Sequence, residues 1–436
     1  MASAVTTRDM TLRPLIAICG TTGVGKSNFA IELARHLGRG ARIINADSMQ
    51  VYRGLDVITN KVPEEERQGV EHVLMGFKAP GEQYVVGQWV QDALKEVDET
   101  HKRTLVPIVV GGTSYWMQHL IFPNRLSNAQ APPVRSTQLA GTIASLRPDL
   151  LVLFDALPDH PPSATEDPDA AYKLHSLLSA LDPVVANRWH WKDTRKVLRS
   201  LNVIKETGRR VSDIMLEQTQ DPAASKPRSV ALGFLVEIFL SADRFRTLCF
   251  WLHAEQPVLE TRLDERVDTM IERGLLSEIR EMRQIATSAD NGDDYTLGIY
   301  QSIGYKEFHD YLSAPDPSET MFDAAVEHMK LSTRQYAKRQ VSWIRNKLLP
   351  AVYTANAKES LVPTYLLDAT GKCPLTCTHA LITPDFQVLG EDWNKNVRDL
   401  GIQIAQDFLA GGDLPDPLAL SDNAKKMMTI EKKFAE

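Results

Sequence analysis

The sequence predicts an α/β fold in which a parallel sheet carries a phosphate-binding loop and a helical insertion interrupts the core. Short apolar runs at Leu15–Cys19, Ala41–Ala46 and Leu105–Val110 alternate with segments of helical pattern, as in βαβ units. A glycine-rich sequence stands between the first run and the first helical segment. From about Asn124 the alternation gives way to a loop rich in Pro and Ser, followed by helical stretches. These three observations predict a sheet core with a helical insertion domain.

The glycine-rich sequence GTTGVGKS fits G-x-x-x-x-G-K-[ST], the spacing of a P-loop, and the core is therefore predicted to be P-loop NTPase-like. Glycines let the backbone N–H groups curl around an anion, and the helix N-terminus that follows adds unpaired donors and the positive end of its dipole. Lys26 would supply a charge for the terminal phosphate, and Ser27 a hydroxyl for Mg²⁺. From the motif alone, the ligand is either ATP or GTP, or a pyrophosphate that leaves during chemistry. The predicted phosphate-binding residues are Gly20, Thr21, Thr22, Gly23, Val24, Gly25, Lys26 and Ser27.

Shifts in pattern divide the chain into four parts. The core comprises residues 14–122 and 218–350, and its second part carries a long basic helix. The mainly helical insertion comprises residues 123–217. Residues 351–436 form a C-terminal extension, whose end from Gly411 to Glu436 is predicted to be disordered.

Further elements complete the predicted order. The polar, punctuated segment Thr59–Gly81 is predicted to be a mobile loop. Leu150–Phe154 is predicted as a further core strand, and strand patterns return at Thr247–Leu252 and Tyr365–Thr370. The segments of helical pattern are Gln88–Lys102, Ala170–Ser212, Leu259–Ile279, Glu327–Leu349 and Trp393–Leu409.

The composition is that of an ordinary soluble protein, with 43% hydrophobic and 24% charged residues among 436. The formal net charge of -7 argues against indiscriminate nucleic-acid binding but permits a local basic groove. No apolar run approaches the ~18 residues that span a membrane, and the N-terminus reads as a disordered tail rather than a mitochondrial presequence. Cys19 and Cys249 fall within predicted strands, which favours a reducing compartment. We expect a cytoplasmic monomer, with a share in the mitochondrion or nucleus left open.

Polar residues follow the two predicted strands that come after the P-loop. Asp47 comes directly after the second apolar run, and a Gly-Gly-Thr sequence ending at Thr113 follows the third. Because ligands of open α/β sheets bind beyond the carboxyl ends of the strands, we expect Asp47 and Thr113 to stand near the P-loop. An Asp at this place equally fits a turn or a helix cap, so position alone leaves its role open.

Two helical segments carry basic residues. In Glu327–Leu349, Arg334 and Arg339 lie close to aromatic residues such as Trp343, a mixture that suits an RNA strand because cations meet phosphates and rings stack on bases. The alternative is a helix whose Trp343 packs in the core while its basic residues face water. In the insertion, Asp193–Thr207 has a basic face that fits either an RNA contact or a solvated surface.

Seven motifs occur in one order along the chain: GTTGVGKS, DSMQVY, VVGGTSYW, DTRKVLRSLNVIKETG, RLDERVDTMIERGLLSEI, SIGYKEF and STRQYAKRQVSWIRN. In this set the chain resembles the tRNA dimethylallyltransferase family, also called tRNA isopentenyltransferases, over residues 14–350. The resemblance implies transfer of a dimethylallyl group from dimethylallyl diphosphate to N6 of adenosine 37, giving N6-isopentenyladenosine. That base lies beside the anticodon of tRNAs that read codons starting with U. The P-loop would then hold a diphosphate leaving group rather than ATP.

The resemblance also implies roles for individual residues. Asp47 matches the general base, which the chemistry requires because the lone pair of adenine N6 is delocalised into the ring. Thr22 matches the threonine that points into the reaction channel. Arg266, with Arg262 one turn before it on the same helix face, matches the segment that anchors the diphosphate, and which of the two does so stays open. Together with the basic helix, the predicted tRNA contacts are Asp47, Ser48, Met49, Gln50, Thr113, Asp193, Thr194, Arg195, Lys196, Val197, Arg334 and Arg339.

The sequence departs from the eukaryotic members of the family in one respect. Those members commonly carry a Cys2His2 zinc finger near the C-terminus, and the YLLDAT segment and the later helix look like their C-terminal region. Here Cys373 and Cys377 have only His379 nearby and no second ligand pair, so the spacing predicts no zinc site. We therefore expect a eukaryotic-type member in which the finger is either dispensed with or lost by truncation of the chain.

Three other functions agree with some of these motifs. An adenylate dimethylallyltransferase, acting on free AMP, would keep the P-loop and the base but would have less use for the helical insertion. A P-loop small-molecule kinase would leave the basic segments unexplained. A non-catalytic RNA-binding protein with a relic P-loop is disfavoured, since Lys26, Ser27 and Asp47 are all present.

Overall fold

The computed structural model describes most of the chain in two compact units. One unit comprises residues 1–122 and 226–436, and the other comprises residues 123–225. The described residues are 13–122, 137–220, 245–288, 298–357, 359–371 and 391–430. The N-terminal tail and the Cys373 to Cys377 segment fall outside them. No helix within the described ranges combines the length and apolar character needed to cross a membrane.

The larger unit is built on a six-stranded sheet in which every pair of neighbouring strands is parallel. Its spatial order is β3-β2-β4-β1-β5-β6. Helices on the faces of such a sheet bury both sides of the strands, which explains the continuous apolar runs in the sequence. The strands are β1 (Arg13–Gly20), β2 (Ala41–Asn45), β3 (His72–Val73), β4 (Val106–Val110), β5 (Phe245–His253) and β6 (Thr364–Asp368).

Strand β1 lies inside the sheet, between β4 and β5. It pairs with β5 along its whole length, from Arg13 opposite Phe245 to Gly20 opposite Leu252. Because all strands run the same way, the loops after β1, β2 and β4 emerge at one edge, where open α/β sheets bind their ligands. The predicted α/β fold with a parallel sheet is confirmed.

Seventeen α-helical segments are described within those ranges, and π-helical turns over Ile344–Leu348 and Asn394–Asp399 join some of them. In chain order they are α1 (Lys26–His36), α2 (Val86–Lys102), α3 (Ser114–Ile121), α4 (Thr137–Ala144), α5 (Pro148–Asp155), α6 (Pro168–Leu181), α7 (Pro183–Ala186), α8 (Thr194–Thr207), α9 (Val211–Gln220), α10 (Gln256–Glu272), α11 (Leu275–Ser288), α12 (His309–Ser313), α13 (Glu319–Trp343), α14 (Leu349–Ala355), α15 (Glu391–Trp393), α16 (Leu400–Ala410) and α17 (Asp422–Met428).

The C-terminal extension belongs to the core of the larger unit. Phe29 of α1 is fully buried and meets Phe250 of β5 edge to face, with ring centroids 5.4 Å apart. Gly401 of α16 packs so closely on the Phe29 ring that an added Cβ would lie 2.4 Å from it. The indole of Trp393 donates a hydrogen bond of 3.0 Å to Glu32 of α1. The helix that follows the P-loop is therefore packed against residues from the far end of the chain.

The predicted disorder of Gly411–Glu436 is wrong for its described part, residues 411–430. The chain forms α17 there, and Ala424 and Met428 are buried. The phenol of Tyr353 donates a hydrogen bond to the carbonyl of Met428. A few apolar side chains spaced four residues apart thus hold a segment whose overall composition is polar.

The smaller unit is a bundle of helices α4–α9 with an apolar core of its own. The predicted strand at Leu150–Phe154 is wrong, because these residues form α5. Pro148 occupies the first turn of this helix, where proline is favoured. Leu150 and Phe154 lie four residues apart and are buried, whereas Val152 between them is 69% exposed. Burial thus follows the period of a helix here.

Two further segments differ from prediction. Leu259–Ile279 forms two helices, α10 and α11, separated at Gly274, whose φ of 93° ends the first helix. Thr59–Gly81 contains the edge strand β3, which pairs with Ile43 and Ile44 of β2. A strand of two residues is too short to show the alternation by which strands are recognised.

We expect the contact between Gly401 and Phe29 to be sensitive to a single methyl group. Gly401→Ala should lower the free energy of unfolding by about 1–3 kcal/mol, because the buried ring has to move. Gly87→Ala is the matched control, since Gly87 lies in α2 with nothing within 4 Å of an added Cβ. That control should be neutral or stabilising by at most about 1 kcal/mol. Urea unfolding measures both, and equal midpoints would contradict this packing.

Candidate active site

The P-loop has the backbone geometry that the sequence predicts. Gly23 and Gly25 have φ angles of 79° and 84°, which favour glycine, and α1 begins directly after them. At Gly20, an added Cβ would lie 2.4 Å from the carbonyl oxygen of Leu252 on β5. The first N–H groups of α1 have no partner within the helix and are available to an anion, which the helix dipole also favours.

Lys26 lies beneath this loop. Its Nζ donates a hydrogen bond of 2.6 Å to the carbonyl of Thr21. Burial lowers the pKa of Lys26 from 10.5 to about 8, and the nearby Asp47 carboxylate opposes this shift while Arg266 adds to it. The ammonium group therefore stands in a site with too little negative charge, which an anionic ligand would supply.

The two arginines of α10 have different partners. Arg266 donates a hydrogen bond of 2.7 Å to the hydroxyl of Thr22 and so points at the P-loop. Burial lowers the pKa of Arg266 to about 10, and Asp47 opposes the shift. Arg262 is buried and donates to the carbonyls that follow β6, at 2.6 Å to Ala369 and 3.0 Å to Thr370. Arg266 is thus the arginine directed at the P-loop, and Arg262 ties α10 to the sheet.

Asp47 is fixed by a tight turn at the end of β2. Its Oδ1 accepts a hydrogen bond of 3.0 Å from the N–H of Met49. Its own N–H donates to the side chain of Asn45 at 3.1 Å. Its Oδ2 lies close to Gly112, where an added Cβ would be 3.2 Å away. The turn that position alone also predicted is present, and it orients one carboxylate oxygen while the other faces the loop after β4.

Gln340 of α13 joins the two loops of the site and was missed by the sequence analysis. Its Oε1 accepts a hydrogen bond of 2.9 Å from the N–H of Thr22, and its Nε2 donates one of 2.9 Å to the carbonyl of Gly112. Its side chain is almost fully buried. Its position in the sequence could have indicated this role, because Thr333, Ala337 and Gln340 are spaced to lie on one face of a helix. In the structure all three are buried on that face of α13. A glutamine on the apolar face of a helix indicates a specific polar partner.

A single cavity of about 870 Å³ collects these groups. Its described lining does not include Ser48 or Thr113, although Asp47 is part of it. Ser48 instead donates its N–H to the Thr113 hydroxyl at 3.0 Å, and that hydroxyl lies 3.2 Å from the Ser48 hydroxyl. Among the residues discussed above, the cavity is lined by Lys26, Ser27, Asp47, Arg262, Arg266 and Gln340.

The other predicted RNA contacts of the larger unit lie in varied surroundings. Nη1 of Arg334 donates to both carboxylate oxygens of Asp264 at 2.6 Å, which joins α13 to α10. Gln50 donates to the carbonyls of Thr59 and Asn60 at 3.0 and 3.1 Å. Arg339 is exposed. Of these side chains, Arg339 has the exposure that an RNA contact requires.

In the smaller unit, the predicted contact segment at the start of α8 has one buried and one exposed face. Val197 is fully buried and Thr194 nearly so, which contradicts a direct RNA contact by their side chains. Arg195 and Lys196 are exposed, and Lys196 pairs with Asp193 at 2.5 Å. The two buried residues hold the helix in the bundle, so that the basic residues face outward.

A Mg²⁺ site on Ser27 agrees with the donors present. The Ser27 hydroxyl makes no hydrogen bond to another described residue and lies in the cavity beside Lys26. Within the described residues, no group of three or more His, Cys, Asp or Glu could hold a metal ion. Mg²⁺ beside a P-loop needs no such group, since it takes oxygen from the Ser hydroxyl, the phosphates and water.

Comparison with known proteins gives one family. The sequence profile described as IPP transferase matches residues 50–347. The tRNA dimethylallyltransferase of Schizosaccharomyces pombe is 39% identical over 420 residues, which cover 95% of this chain and 82% of that protein. The one from Mus musculus is 32% identical over 426 residues, covering 95% and 79%.

A solved structure agrees in fold. The crystal structure of a eukaryotic dimethylallyltransferase acting on tRNA superposes with a TM-score of 0.68 and 30% identity, covering 97% of this chain and 87% of that one. The profile matches well over half of the chain, and the relatives align along nearly all of it. The chain therefore belongs to the tRNA dimethylallyltransferase family, the family of IPP transferases.

Proposed function

We propose that this enzyme transfers the dimethylallyl group of dimethylallyl diphosphate to N6 of adenosine 37 in tRNAs that read codons starting with U. The observation that carries the proposal is the placement of Asp47 in the same cavity as Lys26 and Arg266. A P-loop beside two cations suits a diphosphate, and a carboxylate within the same space suits a base. A prenyl transfer to an amine needs both at once.

In the proposed step, Asp47 orients the exocyclic amine and accepts its proton as the N6 lone pair attacks C1 of the dimethylallyl group. The N6–C1 bond forms while the C1–O bond breaks, and the bonding electrons leave with the diphosphate. Because adenine N6 is a weak nucleophile, a positioned carboxylate contributes more to the rate of transfer here than it would for an ordinary amine. The Asx turn at Met49 fixes Asp47 before substrate arrives.

Charge develops on the diphosphate as the C1–O bond breaks. Lys26, the N–H groups of the P-loop and Arg266 stabilise that charge, and the Thr22 hydroxyl holds Arg266 in place. When bound at Ser27, Mg²⁺ would neutralise part of the same charge. These groups are preorganised, so little reorganisation is needed at the moment of reaction.

The acceptor has to leave its stack to reach Asp47. Extruding a base from an anticodon loop costs a few kcal/mol, which phosphate contacts elsewhere can offset. The exposed Arg339 of α13, and Arg195 and Lys196 of α8, are the predicted residues that present charge for such contacts. The tRNA anticodon loop and dimethylallyl diphosphate are thus the proposed partners, and a monomer located in the cytoplasm stays a prediction.

The two enzymatic alternatives receive no support from the comparisons. The relatives reported above are named tRNA dimethylallyltransferases, and the related crystal structure is of such an enzyme acting on tRNA.

A transfer assay tests the proposal: purified protein, Mg²⁺ and radiolabelled dimethylallyl diphosphate are mixed with an anticodon stem-loop bearing A36-A37-A38, or with AMP. Label in the stem-loop supports the proposal. Label in AMP alone would move the activity to cytokinin-type synthesis, and ATP turnover without label would make the P-loop a nucleotide site.

We expect Asp47→Asn to abolish the base while keeping the shape of the site. The rate of transfer should fall by about 10²–10⁴-fold, with tRNA affinity in a filter-binding assay unchanged. Glu66→Gln is the control, because Glu66 is an exposed carboxylate that lines the same cavity. An unchanged transfer rate in Asp47→Asn would remove this residue from the role of base.

The two arginines of α10 should separate into one functional and one structural residue. Arg266→Gln should lower kcat/KM for the diphosphate donor by about a hundredfold, since it removes a donor directed at the leaving group. Arg262→Gln should instead lower the free energy of unfolding by about 1–3 kcal/mol, because buried carbonyls lose their partner. Steady-state kinetics and urea unfolding of both variants measure this, and the reverse pattern would exchange the two roles.

Gln340→Ala should disconnect the two loops of the site. The N–H of Thr22 and the carbonyl of Gly112 lose their partner, so we expect a loss of about 1–3 kcal/mol in unfolding free energy. The misplaced P-loop should also slow transfer by about tenfold or more. Gln335→Ala, at an exposed position on the same helix, is the control and should change neither quantity. If both variants behave alike, the bridge has no role in the reaction.

A further inference from the structure

One wall of the reaction cavity is a loop with unusual backbone geometry. Residues 55–63 follow the DSMQVY motif, and Val57, Thr59 and Lys61 line the cavity. Leu55 and Asn60 have φ angles of 50° and 52°, a region that residues other than glycine rarely adopt. Leu55 does so while fully buried. Such conformations persist only where the surroundings hold them.

A carboxylate from a distant helix holds this loop. Glu278 of α11 accepts hydrogen bonds from two successive N–H groups, at 2.9 Å from Val57 and 3.0 Å from Ile58. The bonds use both carboxylate oxygens and join residues about 220 positions apart. Charge-assisted, two-point contacts of this kind are the stronger hydrogen bonds of proteins and also fix direction.

The SIGYKEF motif packs against the same loop. The proposed reaction gives this motif no role. Gly304 in this motif has a φ of 102°, and an added Cβ would lie 2.9 Å from the side chain of Ile58. The N–H of Gly304 donates 2.8 Å to Glu307, whose side chain is fully buried. The motif therefore packs against the residue whose N–H group Glu278 holds.

We propose that Glu278 is a positioning residue that sets the wall of the donor pocket, with the SIGYKEF motif as its support. The inference rests on the proposed function, because it takes the cavity of Lys26 and Arg266 as the site of the diphosphate donor. Helices α10 and α11 are consecutive, so one helical pair carries both the arginine that faces the P-loop and the carboxylate that fixes the loop. Val57, whose N–H group bonds to Glu278, lines the cavity of the P-loop. We therefore expect the effect of Glu278 to fall mainly on the donor, which this cavity binds under the proposed function.

The test compares Glu278→Gln with Glu281→Gln in full-length protein with Mg²⁺. Glu281 is exposed, one turn along the same helix, and makes no hydrogen bond to another described residue. In Glu278→Gln an N–H₂ group faces a backbone N–H, so one of the two bonds is lost. We expect KM for dimethylallyl diphosphate to rise about tenfold, with kcat and KM for the stem-loop changed less than about twofold. Glu281→Gln should match the wild type in all three.

Glu278→Asp provides a second variant in case the first folds poorly, since it keeps the charge and should recover part of the donor affinity. Hydrogen exchange of residues 55–63 should be faster in Glu278→Gln alone. Unchanged KM for the donor, or equal rises in KM for donor and stem-loop, would overturn the proposal even if exchange is faster. Absence of transfer by the wild type would instead overturn the proposed function, which distinguishes the two failures.

Discussion

The site depends on an imbalance of charge at the carboxyl edge of the sheet. Lys26 and Arg266 are held close together with one carboxylate, Asp47, and burial lowers the pKa values of the two cations to about 8 and about 10. Protonated cations are costly in such surroundings unless an anion is present. The N-terminus of α1 adds positive potential at the same place. The site thus carries an excess of positive charge that a diphosphate would neutralise. The strands and α10 hold these charged groups in place.

A neutral side chain connects this charged centre to the rest of the protein. Gln340 satisfies one backbone donor and one backbone acceptor, on Thr22 and Gly112, without adding charge beside Asp47. A carboxylate there could not donate to Gly112, and an ammonium could not accept from Thr22. Its helix is also joined to α10 through the ion pair of Arg334 with Asp264. The long basic helix therefore joins the P-loop, the loop after β4 and α10 through its less exposed residues, and its exposed residues are not part of these contacts.

The features that could be predicted from the sequence are those encoded by short, contiguous segments, and the features that were missed depend on contacts between distant residues. The P-loop and the parallel sheet are encoded in short segments, and the rule for strand ends then brings Asp47 to the same edge. Gln340 and Glu278 act on residues more than 200 positions away, and no local pattern states their partners. For Arg262 and Arg266, helical spacing gives a common face but not the neighbour of each. The α17 segment was missed because a few buried side chains outweigh a polar composition.

Adjacent residues of one turn explain how the enzyme can serve two substrates. Asp47 lines the cavity of the P-loop, whereas the next residue, Ser48, bonds to Thr113 outside the described lining. A base for N6 has to touch the acceptor and yet stand within reach of C1 of the donor, so it has to lie where the two binding regions meet. The turn after β2 meets this condition because successive side chains point different ways. Under the proposed function, Asp47 acts on the acceptor in the step that joins the two substrates, while Lys26 and Arg266 act on the donor in the same step by stabilising the charge of the leaving diphosphate.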